Sequence, residues 1–232
     1  MRRILALSLI AAAPLSAEDK SVPKAIGLTG KKTEPAESDP LKTGSLPNST
    51  NLLAEKAARL FSKRDFAAAR AAYREMLQFS PENALAWANL GAVEQQDGNL
   101  PAAISCFEAS VRFNEQLVQS WIALGLLYSQ RGDRYKAISS FARAIHEEPL
   151  NPSAHNYLAI EANGLGWSAT AMAELQRAIE LDPNYGLAHF NLATLYLDQK
   201  PPARVLAKKH YEKALSLGVA KDEVLERRLD PK

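Results

Sequence analysis

Cysteine is almost missing from this sequence, because Cys106 is the only one in 232 residues. A single cysteine cannot form a disulfide within its own chain, so no internal cross-link holds the fold together. Stability must come from packing, and the 47% hydrophobic content is sufficient for a packed core.

An excess of charge of one sign is also missing. The chain has 28 Lys and Arg residues against 26 Asp and Glu, and loss of Arg2 and Arg3 would make the numbers equal. Proteins that bind phosphate backbones or anionic lipid surfaces normally show a basic patch or stripe. The sequence therefore predicts neither nucleic acid nor a membrane surface as a direct partner.

Motifs for catalysis are missing as well. The sequence contains no G-x-S-x-G, no glycine-rich phosphate loop and no H-E-x-x-H, and it has only four histidines. We therefore expect no enzyme activity, no catalytic or metal-binding residues and no cofactor.

The N-terminus differs from the rest of the chain. Arg2 and Arg3 precede an apolar run at 4–13, and small residues precede the polar stretch that begins at 18. This order is typical of a secretory signal peptide, and the run is too short to span a bilayer. We predict a signal peptide at 1–17, cleaved after Ala17, and a periplasmic or secreted protein. The alternative is an uncleaved N-terminal anchor.

The next segment, 18–50, is rich in proline, glycine, serine and lysine, and its charges balance. It has too little apolar surface to offset the entropy lost on ordering. We predict a disordered linker over 18–50.

A 34-residue pattern organises the remainder and is clearest at 118–151. Large and small apolar residues are spaced as two helix faces on either side of a glycine break, and a proline closes the unit. The residues of the pattern are Trp121, Leu124, Gly125, Tyr128, Gly132, Ala137, Phe141, Ala144 and Pro149.

This pattern resembles the tetratricopeptide repeat family, whose signature is W-x2-L-G-x2-Y…A-x3-F…P. The resemblance implies an all-α, right-handed superhelical solenoid of about five helix-turn-helix units at 51–218, followed by a short capping helix at 220–230. The repeats are expected at about 50–83, 84–117, 118–151, 152–185 and 186–219.

Small residues recur where the two helices of a unit would cross, and large aromatic residues recur opposite them. Gly or Ala lets the helix backbones approach, so we expect aromatic rings to fill the space between the helices. The small residues are Gly91, Gly125, Ala159 and Ala193, and the rings are Tyr73, Phe107, Phe141 and Tyr211.

Two residue types, histidine and tryptophan, have both a structural and a functional interpretation. His155 and His189 occupy the tryptophan position of their repeats, which explains their spacing of 34 residues. Trp87 and Trp121 fit helix packing better than a ligand cage. Trp167 falls in a turn and is the better candidate for an external contact.

Cys106 occupies a position that holds alanine, serine, glutamate or histidine in the other repeats. We therefore expect a partly exposed, inert thiol outside the deep core; the alternative is an intermolecular disulfide.

The resemblance also implies that the first helix of each unit lines a concave groove that binds a partner. The candidate groove residues mix amides with apolar and aromatic side chains. They are Asn89, Gln96, Ile122, Leu126, Gln130, Asn156, Tyr157, Ile160, Asn163, Phe190, Asn191 and Asp198.

Family members that grip acidic peptide tails do so with Lys and Arg in this groove. The corresponding positions here hold no basic residue; they are Ala54, Ala58, Asn89, Gln119 and Ala123. We infer that a C-terminal carboxylate is not the feature recognised.

The predicted function is a non-enzymatic scaffold or adaptor of the cell envelope that binds a protein or peptide in the groove. The alternative is an accessory recognition subunit for an envelope enzyme that handles glycans or peptidoglycan. A ligand-binding or catalytic role of its own ranks third. The sequence names neither the partner nor the oligomeric state.

Overall fold

The computed structural model describes residues 48–231, and within that range it contains eleven α-helices and no strand. The predicted signal peptide at 1–17 and most of the predicted linker lie outside the described residues. The helices are α1 Asn48–Ser62, α2 Phe66–Phe79, α3 Ala84–Gln96, α4 Leu100–Phe113, α5 Val118–Gln130, α6 Arg134–Glu147, α7 Pro152–Gly164, α8 Ser168–Leu181, α9 Gly186–Asp198, α10 Arg204–Ser216 and α11 Glu223–Leu229.

The first ten helices pair into five hairpins. Each first helix packs most extensively on the second helix of its own repeat, and each second helix packs on the first helix of the next repeat. The last helix, α11, contacts α9 and α10, and its Leu225 and Leu229 are buried. The predicted solenoid of five units with a C-terminal cap is therefore confirmed.

Short polar residues start several of these helices. Asp65, Asn83 and Asn151 each accept a hydrogen bond from the backbone N–H three residues on, at 2.9–3.1 Å. These bonds satisfy backbone donors that have no partner within the first helical turn. The helix boundaries are thus encoded locally and recur with the repeat.

The turns inside the hairpins require a left-handed backbone at one position. Gly132 has φ of +78°, whereas the equivalent residue of the first repeat is Arg64, with φ of 61°. Glycine adopts this conformation without steric cost, but a residue with a Cβ does not. The first repeat therefore keeps the turn despite lacking its usual residue.

The first helices form the inner layer of the solenoid. Helix α5 packs on α7 and α7 on α9, and these contacts are more extensive than those between any two second helices. In a curved stack, the elements that approach most closely lie on the concave side. The concave surface is therefore formed by the first helices, which positions the candidate groove.

One prediction about the core is wrong. Cys106 is only 7% exposed and belongs to the apolar cluster formed with α1, α2 and α3. Burial first, and then the nearby Glu94 carboxylate, raise the pKa of the thiol to about 11. In this repeat the position packs against residues of α1, α2 and α3, so its enclosure depends on the preceding hairpin as well as on its own unit. A buried, protonated thiol does not favour an intermolecular disulfide.

Candidate functional site

Apolar side chains of the inner layer are left half-buried. Ile122 and Leu126 on α5, Ile160 on α7 and Phe190 on α9 all retain partial exposure. They stand on successive first helices, and their role as the apolar floor of the concave groove stays a prediction. Tyr157 stacks on Phe141 with ring centroids 5.4 Å apart, which fixes one of its faces within the core.

The predicted amides bind one another. Asn191 donates from Nδ2 to Oδ1 of Asn156 at 2.9 Å, and Asn156 donates to the Tyr185 hydroxyl at 3.4 Å. Asn156 is only 1% exposed and Asn89 only 5%. Asn156 and Asn191 therefore join the fourth repeat to the fifth. Their part in binding stays a prediction.

Uncharged polar groups are predicted at the rim of the groove. Gln96 and Gln130 are exposed and Asn163 is half-buried. Asp198 is exposed as well, and the guanidinium of Arg228 donates to its carboxylate at 2.6 Å. The predicted groove therefore offers amide donors and acceptors but almost no uncompensated charge.

Two buried carboxylates are features that sequence reasoning missed. Glu161 is 3% exposed, and it accepts hydrogen bonds from the Ser129 hydroxyl and from Arg134 at 2.9 Å. It ties α5 and α6 to α7 beneath the groove. A glutamate within an otherwise apolar helix face is the signal that could have revealed it.

The second buried carboxylate is Glu94, which is 1% exposed. Arg70 binds both of its oxygens, at 2.8 and 3.1 Å, and Asn99 donates to it at 3.3 Å. Arg70 also binds Asp97. This network joins the first two repeats and replaces the aromatic residue that Tyr128 provides at the same position of the third repeat.

A repeated hydrogen bond explains the tryptophan and histidine positions. In four successive repeats, the ring nitrogen of this residue lies 2.7–3.2 Å from the backbone carbonyl six residues earlier, so the ring donates its N–H there. The four pairs are Trp87 with Pro81, Trp121 with Glu115, His155 with Pro149 and His189 with Pro183. These rings fix the turns between repeats, which supports the structural interpretation of both residue types.

The two histidines then bind different partners. Nδ1 of His155 lies 2.6 Å from the Glu174 carboxylate, and Nδ1 of His189 lies 2.9 Å from Nδ1 of His210. Burial, followed by the charges of His189 and Lys209, lowers the pKa of His210.

A hollow of about 700 Å³ opens between α4, α5 and α6, outside the predicted groove. Its walls include Trp121, Tyr128, Lys136 and Arg143. The Tyr128 hydroxyl donates to Glu108 at 2.6 Å, and burial together with this carboxylate raises the pKa of Tyr128 to about 12. Lys136 and Arg143 each lie over an aromatic ring, at 5.2 and 5.6 Å from its centroid. Tyr128, Lys136 and Arg143 are therefore held by neighbouring groups of the hollow itself.

Between residues 48 and 231, no helix is both long and apolar enough to cross a bilayer. In the same range, no group of three or more His, Cys, Asp or Glu side chains could hold a metal ion.

Stacked helical hairpins with an inner layer of first helices define the class of helical repeat solenoids. Three family models described as tetratricopeptide repeat match residues 55–116, 118–149 and 174–216. The chain belongs to the tetratricopeptide repeat family.

Solved structures show the same fold. MamA superposes with a TM-score of 0.65 at 22% identity, over 69% of this chain and 93% of that chain. YrrB, a TPR protein with an unusual peptide-binding site, has a TM-score of 0.64 at 19% identity, over 78% of this chain and 89% of that chain. PilF from Pseudomonas aeruginosa has a TM-score of 0.68 at 16% identity, over 78% and 83%. No curated protein matches the sequence significantly.

Proposed function

We propose that this protein is a non-enzymatic scaffold of the cell envelope that holds an uncharged, partly apolar peptide segment of another protein in its concave groove. The observation that carries the proposal is the row of half-buried apolar side chains, Leu126, Ile160 and Phe190, on successive first helices. The location in the envelope rests on the predicted signal peptide at 1–17 alone.

The chemistry of the groove selects the kind of segment. Full burial of a leucine or isoleucine side chain contributes about 1.5–3 kcal/mol, so covering the smaller, exposed part of these side chains contributes at most about 1 kcal/mol each. Charged side chains would lose hydration without gaining a counter-ion, because Asp198 and Glu161 already bind arginines. Rim amides such as Gln96 and Gln130 can hydrogen-bond an extended backbone.

Rigidity makes the surface suitable for binding. Salt bridges and amide pairs fix neighbouring repeats to each other, as Glu161 does with Arg134. A preformed surface loses little conformational entropy when a partner binds. Among similar folds, YrrB has a peptide-binding site, which supports the same use of the fold here.

A peptide array tests the groove directly. The full chain should bind neutral peptides with apolar anchors, and replacement of those anchors by Asp or Lys should weaken binding at least about tenfold. Leu126→Glu with Ile160→Glu should abolish binding, whereas helical circular dichroism stays unchanged.

A matched control uses apolar residues that are exposed elsewhere. Leu150 and Phe79 are 68% and 64% exposed, so Leu150→Glu with Phe79→Glu adds the same charge outside the groove. This control should bind like the wild type. If the groove variant binds peptides as well as the wild type does, the groove is not the binding site. If both variants lose binding equally, the loss is a general effect of the added charge.

A further inference from the structure

One edge of the solenoid is formed by the turns inside the last three hairpins. We call residues 131–136, 165–170 and 199–206 the basic edge. The Tyr135 and Trp167 rings meet edge to face at 6.2 Å, and the Gln199 amide lies 3.3 Å from the Met172 sulfur on α8. The turns of the third, fourth and fifth repeats therefore form a continuous strip.

Large apolar side chains project from this strip into solvent. Val205 is 85% exposed, Tyr135 68%, Trp167 45% and Leu206 44%. Each stands at the start of a second helix, on the side away from the packed core. Isolated exposed apolar residues need no explanation, but four on one edge indicate a contact surface.

Trp167 differs from the other two tryptophans. The indole N–H groups of Trp87 and Trp121 donate to backbone carbonyls, whereas that of Trp167 has no hydrogen-bond partner among residues 48–231. A half-exposed indole with a free N–H suits a boundary between an apolar phase and water.

The charges of the basic edge are almost all positive. It holds Arg131, Lys200 and Arg204, while Lys136 pairs with Asp133, the one acid of the edge, at 3.6 Å. The remaining Arg134 pairs with buried Glu161. Within the described residues, Arg131, Lys200 and Arg204 form no salt bridge.

The opposite edge has the opposite sign. It is formed by the turns between repeats, at 80–83, 114–117, 148–151 and 182–185, which contain no Lys or Arg. Each of these turns holds one acid, and the acids are Glu82, Glu115, Glu148 and Asp182. A balanced total charge predicts no membrane contact, but the fold separates the two signs onto opposite edges.

We propose that the basic edge docks on the surface of an anionic phospholipid bilayer. Lysine and arginine side chains would meet lipid phosphates, while Trp167, Val205 and Leu206 enter the boundary between headgroups and acyl chains. Nucleic acid would satisfy the cations but would leave the aliphatic side chains in water. The acidic edge then faces away from the bilayer, which orients the protein, and the concave groove stays accessible.

Vesicle co-sedimentation tests the proposal with the full chain. Vesicles of phosphatidylcholine with 30% phosphatidylglycerol, a fraction on the order of that in anionic membranes, are compared with pure phosphatidylcholine. Each cation contributes about a fivefold gain in affinity near an anionic surface. The triple variant Arg131→Gln, Lys200→Gln and Arg204→Gln should therefore lower the affinity for vesicles that contain phosphatidylglycerol about a hundredfold. High salt should have a similar effect.

The matched control removes the same charge elsewhere. Lys56, Arg59 and Lys221 are exposed and lie outside the basic edge, so their replacement by Gln should leave vesicle affinity within about twofold. The apolar run at 4–13 is present in every variant, so its contribution cancels in the comparison.

Fluorescence gives a second readout that does not depend on how the chain is anchored. Brominated lipids should quench tryptophan emission in the wild type, and quenching should fall in Trp167→Phe and in the triple variant. Equal quenching and equal affinity in wild type and triple variant would overturn the proposal. Unchanged vesicle binding with lost binding of a single-stranded oligonucleotide would also overturn it, and would assign the edge to nucleic acid instead.

Discussion

A Cβ atom placed on Gly125 would lie 2.4 Å from Cε1 of Phe141, which is closer than real Cβ contacts come. The aromatic ring of α6 thus lies directly against the backbone of α5. The same pair occurs one repeat earlier, where the Cβ at Gly91 would meet the Phe107 ring at 3.0 Å. In both hairpins a phenylalanine ring packs against a glycine, but the Phe141 ring lies closer to Gly125 than the Phe107 ring does to Gly91.

Substituting alanine for glycine at these two sites should therefore give different results. Gly125→Ala should lower the free energy of unfolding by about 1–2 kcal/mol, because overpacking exceeds the gain in helix propensity. Gly91→Ala should change it by less than about 0.5 kcal/mol, because the two effects nearly cancel. Urea denaturation followed by circular dichroism measures both. Equal losses at the two sites would contradict the difference in packing.

Removal of the buried Glu94 carboxylate should destabilise the first two repeats. Glu94→Ala leaves Arg70, whose side chain is 21% exposed, without its bidentate partner. The expected cost is about 2–3 kcal/mol, below the value for a fully buried pair because solvent reaches the arginine.

The control for this change is Glu180→Ala, which breaks an exposed pair with Arg177. It should cost less than about 0.5 kcal/mol. A loss at Glu94 no larger than this would show that the network contributes little to stability.

The repeat itself was predictable because one short pattern recurs along the chain. Helix spacing alone predicts which small and large residues meet at the hairpin crossings, such as Gly125 and Phe141, without knowledge of distant contacts. The helix pairs and the capping helix are confirmed for the same reason. The position of Cys106 was not predictable from its residue types in other repeats, because enclosure depends on the neighbouring hairpin.

The candidate site was predictable only as far as the identity of the helices that face inward. Asn156 and Asn191 stand 35 residues apart and bind each other across two repeats, a relation that spacing alone does not reveal. The basic edge depends in the same way on turns that are distant in sequence. Polar pairing is decided by side-chain direction and register, whereas apolar periodicity records only which face is buried.

Arg64 provides a simple test of backbone strain. Its φ of 61° costs a residue with a Cβ about 1–2 kcal/mol, and glycine loses part of that advantage through its greater freedom when unfolded. Arg64→Gly should therefore raise the free energy of unfolding by about 0.5–1 kcal/mol, despite loss of the contact between its guanidinium and Phe66.

The reverse substitution at the equivalent turn is the matched control. Gly132 has φ of +78° and open space around its Cβ position, so Gly132→Arg adds strain without a clash. It should cost about 1–2 kcal/mol. Stabilisation at Gly132, or destabilisation at Arg64, would contradict the role of this position.

The His189–His210 pair should make the fifth hairpin sensitive to acid. Because Nε2 of His189 donates to Pro183, its Nδ1 accepts from Nδ1 of His210, and one proton lies between the two rings. A second proton there would place two N–H groups face to face. Lys209, Glu212 and Lys213 line the hollow beside the pair, and its α8 side contributes the apolar Ile179.

The pKa of His210 is lowered on folding by burial and then by His189 and Lys209, so the unfolded chain binds the proton more readily. The stability that neutral His210 contributes is fully present above the pKa of histidine in the unfolded chain, about 6.5. It is lost as the pH falls from there through the pKa of His210 in the folded chain. At about pH 5, hydrogen exchange of α9 and α10 should therefore be faster in the wild type than in a variant with the pair replaced.

His189→Trp with His210→Ser is that variant, because it reproduces Trp121 and Ser140 of the third repeat. Comparison at the same pH cancels intrinsic exchange rates, and His146→Gln, at an exposed position, controls for loss of a histidine. Identical acid dependence in wild type and double variant would contradict the prediction.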